Sequence, residues 1–132
     1  MSDTEKELRE MCEYIRDRME AFAYGYLYDT EEGEMIRPED LADPDYNEER
    51  YQTLSQYFDD NYGVEITKTI GYSDDEFSSC SICVATGGPG IYIDTASRCV
   101  EGRWWGTNVD VGLSDKAVNA INDAVRYMVG YY

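Results

Sequence analysis

Apolar residues follow a helical period near both ends of this chain and a strand period between them. Leu8, Met11, Cys12, Ile15, Met19, Phe22, Ala23 and Tyr26 recur at steps of three and four, one face of a helix over 4–28. Thr4 with Glu7 has capping-box spacing, in which each side chain satisfies an orphan backbone N–H, and Gly25 weakens the far end. Glu10, Glu13, Asp17 and Glu20 fall on the other side, interleaved with Arg9, Arg16 and Arg18. The period then stops. Residues 29–46 read as a long acidic connection with Pro38 and Pro44, in which Pro38–Leu41 opens at most a single turn. A shorter helix is expected from about Asn47 to Asp60, with Tyr51, Leu54, Tyr57 and Phe58 as its buried stripe and Asn61-Tyr62-Gly63 as its end.

From Gly63 the period becomes two. Val64, Ile66 and Ile70 alternate with Glu65, Thr67 and Thr69, and Ser73-Asp74-Asp75-Glu76 makes a polar turn. Cys80, Ile82 and Val84 define a second strand, with Ser81, Cys83 and Ala85 on its other face. Gly87-Gly88-Pro89-Gly90 reverses the chain into Ile91–Asp94, and Thr95-Ala96-Ser97 leads to Arg98–Trp105. After Gly106, Val109, Val111 and Leu113 mark a last strand. Ser114 then caps a helix over 115–129 with the wide stripe Ala117, Val118, Ile121, Ala124, Val125, Met128 and Val129. Short connections between successive strands imply an antiparallel meander. The expected fold is α+β: an antiparallel sheet of four or five strands, a C-terminal helix on one face, and one or two N-terminal helices packed nearby. One domain over 1–132 is expected, an acidic helical part (1–62) beside a sheet-and-helix part (63–132).

Charge is also unevenly divided, with its break somewhat further along the chain. The chain has 28 Asp and Glu against 11 Lys and Arg. Residues 1–76 hold 23 acidic and 7 basic side chains, whereas 77–132 hold 5 and 4. A field of this size opposes compactness by self-repulsion, and it repels nucleic acid and anionic lipid. It points to a basic protein partner, with no direct nucleic-acid contact and no membrane. The densest stretch supplies the candidate contact set: Asp29, Glu31, Glu32, Glu34, Glu39, Asp40, Asp43, Asp45, Glu48, Glu49, Asp59 and Asp60. Charge runs are commonly plain solvated surface. The functional alternative is that ordered carboxylates occupy Lys and Arg positions that normally hold phosphates.

Other chemistry is scarce. With no histidine, Ser-His-Asp and Cys-His triads cannot form within one chain. Cys80 and Cys83 make a CxxC, but three-residue spacing in a strand points them to opposite faces, and only Cys12 and Cys99 remain. The glycine turn lacks the Lys-Ser/Thr and following helix of a phosphate loop. Asp43, Asp45 and Asn47 begin like a calcium loop, but Glu48 stands where glycine is required and Leu54 where the bidentate Glu belongs. No catalytic residue, metal set or cofactor is assigned. Aromatic content is high, with 13 Tyr. Adjacent Trp104 and Trp105 should face opposite sides of a strand; either the N-terminal elements cover both, or one joins Tyr92 as an exposed hot spot.

The stretch from Cys83 to Asn122 resembles small proteins of bacteriophages and mobile elements. Its pattern is Gly87-Gly88-Pro89, Ile91-Tyr92-Ile93-Asp94-Thr95, Val100 to Trp104-Trp105-Gly106, and a helix after Ser114. With its size and acidity, the whole is similar to anti-CRISPR and antirestriction proteins, many of which inhibit host nucleases as nucleic-acid mimics. Those proteins share neither fold nor active site, so the resemblance implies a kind of partner and no residue roles. It implies a phage-encoded, non-enzymatic inhibitor acting in the host cytoplasm on a basic groove of a defence nuclease, a CRISPR effector first. Two other readings stand beside it: an immunity protein or antitoxin against a basic nuclease toxin, and an anti-defence protein that binds a nucleotide signal. The last would need a basic pocket, for which Arg98, Arg103 and Arg126 are the available cations. The sequence does not indicate an oligomeric state.

Overall fold

The computed structural model describes residues 3–41, 49–62, 66–70 and 77–129. It opens with helix α1 (Asp3–Ala23), followed by strands β1 (Leu27–Asp29) and β2 (Glu34–Ile36) and a 3-10 turn at Pro38–Asp40. Strand β3 (Tyr51–Gln52) leads into helix α2 (Leu54–Tyr62). A five-stranded meander then runs through β4 (Ile66–Ile70), β5 (Phe77–Ala85), β6 (Gly90–Asp94), β7 (Cys99–Trp104) and β8 (Thr107–Gly112). Helix α3 (Asp115–Val129) closes the order. The expected α+β architecture, antiparallel sheet and terminal helices are all present.

The large sheet is antiparallel throughout. Ile82, Ile93, Val100 and Val111 form one cross-strand row, and all are buried on the face that carries the helices. α1 lies over β7 and β8, α3 lies beside α1 and reaches β5, and α2 packs on α3. The closest approach is at Gly102: a Cβ there would stand 2.7 Å from the Cys12 sulfur and 2.8 Å from a Leu8 methyl. No side chain fits between helix and sheet at that point. The opposite face carries Ser81, Cys83, Tyr92, Asp94, Glu101, Arg103 and Asp110, half-buried or exposed. No helix among the described residues is long and apolar enough to cross a membrane.

Hydrogen bonds account for several motifs of the C-terminal half. Asp94 Oδ1 accepts the N–H groups of Ala96 (2.9 Å) and Ser97 (3.2 Å), closing the β6–β7 turn. Thr95 is buried, and its hydroxyl takes the Cys80 N–H at 2.8 Å, tying that turn back to β5. The Asp-Thr pair is thus a sheet clamp. Gly87 has φ 92° in the β5–β6 reversal, as a tight glycine turn requires. Ser114 caps α3 through Ala117 N–H at 3.1 Å, and Glu20 in turn accepts both the Ser114 N–H and its hydroxyl. This bond fastens the end of α1 to the start of α3.

Several expectations need correction. α1 begins at Asp3, so Thr4 lies inside the helix instead of capping it, and it ends at Ala23, leaving Tyr26 outside. Met11 is 38 % exposed, because the buried ridge is Leu8, Cys12, Met19 and Phe22 and Met11 falls on its flank. The stretch 29–46 is not one long connection: β1 and β2 form a hairpin at its start, with β3 on the other side of β1. Tyr51 belongs to β3, and α2 starts only at Leu54. The reason is half of a capping box at Thr53 and Gln56: the Gln56 side-chain oxygen accepts the Thr53 N–H at 2.8 Å and the Thr53 hydroxyl at 3.1 Å. A register shift between Cys83 and Ala85 turns Ala85 toward Ile91, ending the simple alternation of β5. The Pro38 turn, the burial of Tyr51, Leu54, Tyr57 and Phe58, and the apolar face of α3 through Val125 are as expected. Asn47, Gly63 to Glu65, the Ser73–Glu76 turn and the side chains of Ile66, Ile70, Met128 and Val129 lie outside the described residues.

Candidate functional site

The acidic surface is built on the small sheet β2-β1-β3 and helix α2. Asp29, at the end of β1, is its internal anchor. Its carboxylate is 2 % exposed and accepts from Arg50 at both oxygens, Nε at 3.0 Å and Nη2 at 3.1 Å. The same Oδ1 accepts the N–H groups of Glu31 (3.0 Å) and Glu32 (3.3 Å), holding the hairpin turn. The Arg50 bonds and those backbone donors keep the Asp29 carboxyl below the usual carboxylate range, against the opposing effect of burial. Arg50 also reaches Glu31 at 3.2 Å. Asp29 therefore leaves the contact set: its oxygens are occupied inside the protein.

The other candidates divide cleanly. Glu31, Glu32, Glu34, Glu39, Asp40, Glu49, Asp59 and Asp60 are exposed, while Asp43, Asp45 and Glu48 lie outside the described residues. Thr30 N–H donates to the Arg50 carbonyl at 2.8 Å, which brings the Glu31–Glu32 turn beside Glu49. Glu49, Asp59 and Asp60 then line a groove of about 290 Å³ with Gln52 and Gln56. The buried Gln52 carboxamide donates to Asp60 and forms part of its floor. Arg37 is paired with Asp40 and Glu39, and Arg50 with Asp29 and Glu31. Among the described residues the groove lining carries three carboxylates and neither arginine of the stretch.

This surface is fastened to α1 by Arg18. Its guanidinium stands 4.5 Å from the Tyr14 ring centre, 4.9 Å from Tyr28 and 5.9 Å from Tyr57. It donates to the Tyr57 hydroxyl at 3.0 Å, to the Gly33 carbonyl at 3.3 Å and to the Tyr14 hydroxyl. A half-buried cation among three rings joins helix, hairpin and α2. Sequence reading placed Arg18 only as a surface charge. The aromatic density was the available signal, but nothing in the order of residues says which rings converge.

The three aromatic candidates do not form one patch. Trp104 packs partly on the core side, Tyr92 stands on the open face of the large sheet, and Trp105 is 86 % exposed at the β7–β8 tip. Trp105 is in the turn rather than the strand, which overturns both the alternation expected of the pair and the possibility that both are covered. Trp105 and Gly106 have φ of 52° and 79°, the two positive values of a type I′ hairpin. A tryptophan there carries strain of about 1 kcal/mol that Asn largely avoids. Trp105→Asn is therefore expected to raise the melting temperature by about 3 °C. A fall in a thermal melt would show that the ring packs on the protein.

The CxxC cysteines point to opposite faces, as three-residue spacing in a strand requires. Cys80 is inside, with Sγ 3.7 Å from Asn122 Oδ1, and Cys83 lies on the other face. Burial pushes the Cys12 and Cys80 thiols up to about 11, so both stay protonated near neutral pH. The arginines a nucleotide pocket would use are dispersed and paired: Arg98 with Asp115, Arg103 with Glu101 at 3.5 Å, Arg126 with Asp123 at 3.0 Å. Arg98 and Arg103 stand at opposite ends of β7, roughly 16 Å apart at strand spacing.

Comparison with known protein families, curated proteins and solved structures gives no match.

Proposed function

We propose that this chain is a stoichiometric inhibitor that sets its acidic surface against the basic nucleic-acid groove of a defence nuclease, a CRISPR effector being the first candidate. The observation that carries the reading is the groove at Glu49, Asp59 and Asp60, flanked by Glu31 and Glu32, with no cation among the described residues of its lining. A basic side chain entering it would meet the Asp60 carboxylate already held by Gln52, on a backbone fixed by the Thr30–Arg50 bond, so less freedom remains to be lost on binding. Opposite fields would also steer the encounter and make it sensitive to salt. The nucleotide-signal reading loses support from the dispersed, paired arginines.

The test is competition. Complexes with purified CRISPR effectors should form one to one, dissociate when guide or target nucleic acid is added, and weaken at least tenfold between about 0.1 and 0.5 M salt. Binding alongside nucleic acid, or with no salt dependence, would overturn the mimic reading. Failure with every effector together with tight binding to a basic nuclease toxin would replace it by the immunity-protein reading.

A further inference from the structure

The open face of the large sheet carries a second group of donors, unrelated to the acidic groove. Cys99 and Glu101 are two apart on β7 and share one face; Asp110 of β8 stands directly opposite Glu101. One ligand atom from each of the three lies within 4.8 Å of the other two. The Cys99 sulfur is 3.6 Å from Glu101 Oε1, and the Ser97 hydroxyl is 3.2 Å from the sulfur and 2.9 Å from that same oxygen.

Two further features set the group apart from an ordinary charged surface. Like charges directly opposite on paired strands destabilise a sheet, yet Glu101 and Asp110 occupy such positions. Arg103 reaches Glu101 through Oε2 at 3.5 Å, leaving Oε1 turned to the sulfur. The Asp110 carboxylate has no hydrogen bond or ion pair among the described residues. Cys99, for its part, is only 8 % exposed although it stands on the solvent side of the sheet.

We propose that Cys99, Glu101 and Asp110 bind one zinc-class divalent cation, with the Ser97 hydroxyl or water as the fourth donor. Zinc takes sulfur at about 2.3 Å and carboxylate oxygen at about 2.0–2.2 Å in a tetrahedron, which sets its donors roughly 3.3–3.6 Å from one another. The sulfur and Glu101 oxygen already meet that spacing, and rotation of the exposed Asp110 side chain brings in the third. A thiolate with two carboxylates selects zinc or cadmium over magnesium and calcium, which take oxygen alone. On binding, the Cys99 S–H bond breaks, its proton leaves to solvent, and the sulfur electron pair forms the metal bond; no oxidation state changes. The cation would cross-link β7 to β8 and remove the repulsion between Glu101 and Asp110.

Cadmium is the direct probe, because a thiolate–cadmium bond adds an ultraviolet charge-transfer band. Reduced, metal-free protein should develop that band and saturate at one equivalent, with zinc competing for the site. The band should vanish in Cys99→Ala, persist in Cys83→Ala, and require at least tenfold more cadmium in Asp110→Asn. No band, a band surviving in Cys99→Ala, or unchanged affinity in Asp110→Asn would overturn the site. Asp110 is exposed, so its variant keeps the test decisive even if Cys99→Ala fails to fold.

Discussion

Replacing Glu32, Glu34, Glu49 and Asp59 together by lysine is expected to abolish partner binding, by about 10⁴-fold, while leaving the fold intact. These four are exposed, and their reversal leaves in place the bonds of Asp29 with Arg50, Gln52 with Asp60, and Arg37 with Asp40. Each reversal removes an attraction and adds a repulsion. At about 1.4 kcal/mol per site, a low value for close charge pairs across an interface, four sites give about four powers of ten. Net charge moves from −17 to −9. The variant remains acidic, so a general loss of negative potential does not explain the effect. Circular dichroism and a thermal melt would establish the fold, and calorimetric titration with the captured nuclease would read the affinity. Undiminished inhibition would move the interface away from the small sheet and α2.

The second large effect is on stability. Asp29→Ala should cost about 2 kcal/mol, because it takes the bidentate partner from Arg50, which keeps only Glu31, and frees the Glu31 and Glu32 N–H groups at a part-buried turn. That is a large share of the stability of an ordinary domain. Asp29→Asn retains one oxygen for the turn but presents an amide donor toward Arg50, and it should lose less. The pH dependence follows from the direction of the shift. The native carboxyl is held below its unfolded value by Arg50, so its contribution is fully present above the unfolded pKa, about 4, and is lost as pH falls through the lower native value. Urea melts of the wild type and Asp29→Asn should therefore differ most above about pH 5 and converge under acid. A gap that stays constant down to strongly acid pH would mean that the carboxylate charge contributes nothing.

The resulting picture assigns two roles to the excess carboxylates. Asp29 and Glu20 work inward, one holding the small sheet and the other joining α1 to α3. The groove residues work outward on a base rigidified by Arg18 and its three tyrosines. A composition count treats these carboxylates alike. Only their surroundings separate a structural ion pair from a surface that offers charge to a partner.

The elements visible from sequence are those whose signal is local and repeated. Ala117, Val118, Ile121 and Val125 fix the face of α3 because a helix returns every 3.6 residues, and Ser114 marks its start because a hydroxyl there completes a backbone bond. Period-two alternation and glycine turns likewise expose the meander, its antiparallel sense and the opposite faces of Cys80 and Cys83. The Thr53-x-x-Gln56 box was equally local and marks the true start of α2. The three-residue strands β1 and β2 were beyond reach, since so short a segment shows little periodicity and gains its stability from pairing with distant residues. Tertiary structure alone decided that Arg50, 21 positions away, fills the oxygens of Asp29, and that register sets Asp110 against Glu101 and Cys99. It also decided that Trp105 leaves the strand for a positive-φ turn. Sequence by itself determined where charge and apolar faces lie along the chain. Which charges are buried, paired or presented depends on contacts between segments far apart in it, and those exist only once the chain has folded.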